Sequence, residues 1–167
     1  MRVNLSQLSY RQVSFGLFLA AVAGMAFALY LQHGVGLEPC PLCVFQRVGL
    51  MGMGLFALIA AIHNPTQLWL RRVYAGLAGL SILWSTGVAA RHVWLQHLPP
   101  EDVPACGPGL DYWLDVFPMK EVIQKVLHGS GECAVIDWTF LGLSLPTLSA
   151  AFFSVLLVGC VWQVVRR

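Results

Sequence analysis

Apolar residues gather into four long runs, Val13–Leu31, Leu42–Ile62, Val73–Ala90 and Leu145–Val165, and the polar residues fall between them. Each run is close to the ~20 residues a helix needs to cross a bilayer. The pattern therefore predicts four membrane-spanning helices in a single membrane domain covering residues 1–167, with connections over about 32–41 and 92–144. Arg2 and Arg11 precede the first run, as in a secretory signal, but it exceeds the ~7–15 residues of a signal core and no A-x-A site follows it. It reads as a retained span. Ala20, Gly24 and Ala28 lie four apart within it, a spacing that lets helix backbones approach closely in lipid. Gly49, Gly52 and Gly54 offer the second span the same closeness, and Ala75 and Gly79 the third.

The His92–Ser144 stretch is too long for a simple turn, and loops beyond ~12–15 residues tend to be functional or disordered. Its centre, Tyr112-Trp113-Leu114 with Phe117, is too apolar for disorder. Within Met119–His128, Val122, Ile123, Val126 and Leu127 fall on one side and Lys120, Glu121, Gln124 and Lys125 on the other. That segment reads as a short amphipathic helix lying in the plane of the membrane surface. Pro99, Pro100, Pro104 and Pro108 make the approach to it extended, with Cys106 near an exposed tip. Ser144 is expected to cap the fourth span, with Pro146 in its first turn.

Composition agrees: 57% of residues are hydrophobic and 11% charged, against roughly 25% charged in ordinary soluble domains. The net charge of +2 says little, but the distribution says much. With the termini in the cytoplasm, Arg2, Arg11, Arg71, Arg72, Arg166 and Arg167 all lie on that side. Every acid then lies opposite, at Glu38, Glu101, Asp102, Asp111, Asp115, Glu121, Glu132 and Asp137, together with Lys120 and Lys125. The positive-inside rule favours this orientation. It carries Cys40, Cys43, Cys106 and Cys133 into the outer, oxidising compartment, which for a bacterial inner membrane is the periplasm.

Cys40-Pro41-Leu42-Cys43 opens the second span. Residues three apart share a helix face, so the two sulfurs can meet. A first helical turn tolerates proline and directs free N–H groups and the positive dipole end outward, which favours a thiolate. Arg47 follows on the same face and reads as a cation that stabilises an anion at the membrane edge. Cys133 follows the flexible Gly129-Ser130-Gly131-Glu132. A Cys106–Cys133 bridge could be a staple worth about 3.6 kcal/mol by chain entropy; its glycine and proline flanks favour a bond that exchanges. His33 reads as an interfacial residue, His92 as either interfacial or a proton donor facing the dithiol, and Trp94 as an interfacial anchor. Cys160, deep in the fourth span, has no evident partner and reads as a small lipid- or helix-facing residue.

Two cysteine pairs on one side of a membrane point to thiol–disulfide exchange in series. A single C-x-x-C argues against a structural zinc site, and no metal is expected. Val44 stands where a haem attachment motif needs histidine, and no G-x-G-x-x-G follows a strand. By elimination, electrons reaching Cys40 and Cys43 go to an acceptor dissolved in the bilayer, and a quinone fits.

The C-x-L-C-x-x-Q-R sequence, two cysteines in the long second outer loop, and Trp138-Thr139-Phe140-Leu141-Gly142-Leu143 with Pro146 before the last span together resemble the disulfide-bond-formation protein B family (DsbB) over nearly the whole chain. The resemblance implies an all-α bundle of four transmembrane helices in the bacterial inner membrane. It implies reoxidation of a periplasmic thioredoxin-fold oxidase of the DsbA type, with electrons passed to ubiquinone or menaquinone. By motif, Cys106 would be attacked by the partner's thiolate, and Cys133 would be its bridge partner and then exchange with Cys40. Cys43 would be the thiolate that stacks on and donates to the quinone in a charge-transfer complex. Arg47 and His92 match the quinone-site arginine and a histidine near the ring. Gln46 stands where some members have an acid. Two other readings compete: a quinone-linked dithiol enzyme like vitamin K epoxide reductase, whose membrane dithiol is expected late in the chain, and a non-catalytic membrane protein with structural disulfides.

Overall fold

A computed structural model describes residues 9–136 and 138–166. Arg2, Asp137 and Arg167, which entered the charge argument above, lie outside them. Four long helices carry the four apolar runs: α1 (Tyr10–His33), α2 (Pro41–His63), α3 (Leu68–Gln96) and, after the outer loop, α6 (Leu145–Val165). All four are long and apolar enough to cross a membrane. Three of them begin where the sequence supplies a start signal. Ser9 and Gln12 form a reciprocal capping box on α1, while α2 and α6 each take a proline in the first turn.

The third helix overruns its apolar stretch at both ends. At the start, Arg71 Nε donates to the Pro65 carbonyl at 2.7 Å and the Tyr10 hydroxyl donates to the Arg71 carbonyl at 3.2 Å. At the other end Arg91 donates to the carbonyls of Leu127 and His128, at 3.1 and 2.8 Å. Arg71 and Arg91 thus find carbonyls beside them at the two charged flanks.

Packing density is uneven. The α2–α3 seam is the tightest: a side chain on Gly49 would run into Ser85 Oγ and the Ser81 carbonyl, and one on Gly52 would crowd Ser81. Gly54 lets Ala21 of α1 approach, and Gly79 receives Cys160 of α6, whose thiol side chain is fully buried. Cys160 is therefore helix-facing. In contrast, α1 packs on α2 and α6 packs on α3, but α1 and α6 barely meet. The small stripe on α1 has a double effect. Gly24 abuts Phe152 and Leu50, while Ala20, Gly24 and Ala28 also line the space left between α1 and α6.

The outer loop is built and packed. It contains α4 (Leu110–Val116), a second short helix beyond the expected one, and α5 (Met119–His128). A two-residue hairpin then pairs β1 (Thr139–Phe140) with β2 (Leu143–Ser144). Its turn needs positive φ at Leu141 (52°) and Gly142 (79°). The amphipathic segment lies where expected, but not with its apolar side in the membrane surface. Val122 and Val126 are buried in a cluster with Leu42, Val88, Leu95, Trp113 and Cys133, so the stripe closes the outer end of the bundle. Protein offers Val122 and Val126 a packed surface of five buried residues, while Ile123 and Leu127 at the edge of the stripe stay half-buried.

Candidate functional site

Cys40 is the N-cap of α2, in extended backbone (φ −64°, ψ 163°), and Cys43 lies one turn in. Their sulfurs are 3.2 Å apart. The imidazole of His92, brought in by α3 and 3% exposed, lies against both. Its Nε2 is 3.8 Å from the Cys40 sulfur and its Nδ1 3.9 Å from that of Cys43. Gln46, one turn beyond Cys43 and itself buried, reaches His92 Nδ1 at 3.2 Å. The backbone carbonyl of Gln46 accepts from Ser85 at 2.7 Å, which fixes that turn of α2 against α3. A buried side-chain amide in an apolar helix costs free energy unless it is bonded, and the contact with His92 offsets part of that cost.

Arg47 turns toward α1. Its Nη1 donates to Gln32 Oε1 and its Nη2 to the Ala28 carbonyl at 3.3 Å. The guanidinium is therefore anchored at the outer end of α1, on the wall of the same cavity as Cys43.

The loop cysteines are separated from each other by environment. All five cysteines, every one among the described residues, are unbridged. Cys133 is buried beside Cys40, with its sulfur 3.7 Å from Ser130 Oγ. Interaction with the Cys40 thiol, with burial second, raises the Cys133 pKa above the ordinary thiol value, while the Leu42 and Ser130 backbones act the other way. Cys106 is exposed and rests against Gly131, where any side chain would collide with its sulfur and with the Pro104 carbonyl.

Between α1, the start of α2 and the start of α6 lies a cavity of about 590 Å³. Its walls are mostly apolar, with Ala20, Gly24, Phe27 and Phe152 among them. Cys43, Arg47, His92 and Gln96 give it one polar end. Trp138 closes it near the hairpin, edge-on to Phe27 and stacked on Phe140. Ser144, expected to cap α6 with its side chain, instead donates to Gln96 Oε1 at 2.7 Å and ties the hairpin to α3.

The family model for "Disulfide bond formation protein DsbB" matches residues 10–163. The chain belongs to the DsbB family. Proteins named disulfide bond formation protein B from Acinetobacter baumannii, a Psychrobacter species and Chromobacterium violaceum are 66%, 53% and 49% identical to it. Those matches cover 96%, 96% and 92% of this chain, and 94%, 96% and 92% of the relatives. Membership of the DsbB family makes this a disulfide-forming membrane oxidoreductase.

Of the residues marked out by sequence, Cys40, Cys43, His92 and Cys133 come together, Arg47 joins them across the cavity, and Cys106 stays outside. The open question over His92 resolves toward the dithiol. Gln32 and Gln96 were not picked out by sequence, and Gln46 only as a departure from the family pattern. The available signal was an amide side chain inside or ending an apolar span, which is rare enough to be read as functional.

Proposed function

We propose that this DsbB-family chain reoxidises a periplasmic DsbA-type dithiol oxidase and delivers the electrons, through its two cysteine pairs, to a membrane quinone. The termini then face the cytoplasm and the four loop-side cysteines the periplasm, in keeping with Arg11, Arg71, Arg72 and Arg166 gathering at the end of the bundle away from the dithiol.

The observation that carries the reading is the company Cys40 keeps: Cys43 at 3.2 Å and the buried Cys133 of the loop beside it. One sulfur from each pair thus neighbours the other pair. The relay begins with both pairs oxidised. The partner's thiolate attacks Cys106, and Cys133 leaves as a thiolate. Cys133 attacks Cys40, and Cys43 leaves in turn. The partner's second thiol resolves its bond to Cys106 and departs oxidised. Cys106 then takes Cys133 back, which frees Cys40 and leaves Cys40 and Cys43 reduced by two electrons. A high-pKa thiol is a strong nucleophile that is seldom ionised, so contact with Cys40 matters more for Cys133 than for an exposed thiol.

The cavity suits a quinone head: an apolar slot of about 590 Å³ with Cys43, Arg47, His92 and Gln96 at one end. When bound, a quinone supplies a sink for two electrons and two protons. The chain's own part is to hold charge and protons there. The anchored Arg47 stabilises negative charge without reorganising, and His92, between both sulfurs, holds a proton within reach of either. The test is to mix purified protein, quinone and a reduced DsbA-type partner and follow partner oxidation. Catalytic, quinone-dependent turnover is expected. Oxidation that stops at the two equivalents or fewer held in the protein's own disulfides, whatever the quinone supplied, overturns the reading.

A further inference from the structure

We propose that the reduced protein binds a thiophilic divalent cation, Zn2+ foremost, through Cys40, Cys43 and His92, with Cys133 as the fourth donor. The sequence held a single C-x-x-C and so argued against zinc. The fold adds what the spacing lacked, a histidine from α3 and a third sulfur from the outer loop.

The donor atoms of Cys40, Cys43 and His92 lie within 4.8 Å of one another, in a pocket where His92 is buried and both thiols are half-buried. Around a tetrahedral zinc with bonds of ~2.3 Å to sulfur and ~2.0–2.1 Å to nitrogen, donors are separated by about 3.6–3.8 Å. The observed 3.8 Å from Cys40 to Nε2 lies within a few tenths of an ångström of that figure, and the sulfurs, at 3.2 Å, need to part by about half an ångström. Cys133, next to Cys40 but outside that group of three, moves in to complete a Cys3His set. Ligating histidines are oriented by a partner on the other ring nitrogen, and Gln46 stands at Nδ1, 3.2 Å away. With its amide turned to present oxygen, Gln46 accepts from Nδ1–H and leaves Nε2 free to bind metal. Arg47, on the wall of the adjoining cavity, offsets the net negative charge of three thiolates on one dication.

Binding involves no redox change: three thiols lose three protons and gain one Zn2+. It does require thiols, so the Cys40–Cys43 disulfide excludes it. The consequence for turnover rests on the relay proposed above: bound zinc holds the dithiol reduced and stops electron flow. Zinc binding itself stands independently of that relay.

The test uses the full chain in detergent without quinone, titrated with ZnCl2 against a chromophoric chelator, and with Co2+ as a spectroscopic substitute. Reduced protein is expected to bind one equivalent, and the oxidised form at least ~100-fold more weakly, a comparison that needs no variant. Cobalt is expected to give a thiolate charge-transfer band. Gln46→Ala weakens zinc by about 10- to 100-fold, as for other residues that orient a ligand. Cys160→Ser and Cys106→Ser leave it unchanged. Equal affinity in both redox states, a cobalt complex without the thiolate band, or loss of binding in Cys106→Ser overturns the site. Zinc-free turnover with quinone is measured separately, so failure of the relay leaves a distinct signature. Undiminished turnover with zinc bound overturns the inhibitory role.

Discussion

The two cysteine pairs share one chemistry and differ in mechanics. Cys40 and Cys43 are held by a helix start, with sulfurs 3.2 Å apart and a histidine across both. Cys106 and Cys133 belong to a loop that divides them, one exposed and one buried beneath α5 against Cys40. A pair that must hold charge beside a lipid-soluble acceptor benefits from a rigid frame. A pair that must reach a protein outside and a sulfur inside cannot have one. The loop solves this by burying the inner member with a packed cluster while exposed segments carry the outer member.

Breaking the outer member has the largest expected effect. Cys106→Ala is expected to slow oxidation of a protein partner by ~10³-fold or more, because no remaining group can replace the sulfur that the partner's thiolate attacks. Oxidation of a small dithiol that reaches Cys40 directly is expected to persist, with quinone use intact. If both substrates fail together, the two pairs do not divide the work as argued. The frame is tested next by Arg47→Ala. Loss of one preorganised charge-stabilising group typically costs on the order of 10²-fold. That loss is expected in quinone-dependent reoxidation of Cys40 and Cys43, while the first, quinone-independent oxidation of partner runs at its normal rate. An equal slowing of both phases removes Arg47 from the acceptor site.

The same division explains what the sequence discloses. The spans, their start signals and the limits of α5 follow from local pattern, because length, hydropathy and proline placement act within one helix. Cys40, Cys43 and Arg47 are legible for that reason. His92 is not, since its neighbours Cys40 and Cys43 belong to another helix, and only the seam of Gly49 and Ser85 fixes which face of α3 turns inward. The direction of α5 is hidden too. An amphipathic stripe states that it needs an apolar surface, and both lipid and the ring of Leu42, Leu95 and Trp113 qualify. The α1–α6 cavity escapes notice because small residues four apart serve contact and vacancy alike, and α1 uses them for both.

A packing change at the seam sharpens the contrast from the other side. Gly49→Ala puts a methyl group against Ser85 Oγ and the Ser81 carbonyl, where overpacking costs about 1–3 kcal/mol. Lower thermal stability in detergent is expected. Partner oxidation by the loop pair is expected to survive in the molecules that remain folded, since the loop packs on Leu42, Val88 and Leu95, nearer the outer end of the bundle than Gly49. Unchanged stability counts against the close α2–α3 contact.

The smallest effect concerns the buried member of the loop pair. Interaction with the Cys40 thiol, and then burial, raise the Cys133 pKa in the folded, reduced protein. An unfolded thiol ionises near 8.5. Below that pH both states keep the proton and the stabilisation is fully present. Above it the unfolded chain binds fewer protons than the folded one, so stability falls as pH rises, and continues to fall until the folded thiol ionises. The expected result is a modest alkaline loss of stability in reduced protein that is absent from reduced Cys133→Ser. Subtracting the two profiles isolates this thiol from the other four. Alkylation in the reduced protein is also expected to strike Cys106 well before Cys133, since a buried thiol that keeps its proton presents little thiolate. Equal alkylation rates at the two positions imply that the loop does not separate them, and the asymmetry that distinguishes this pair from the helix-bound one is lost.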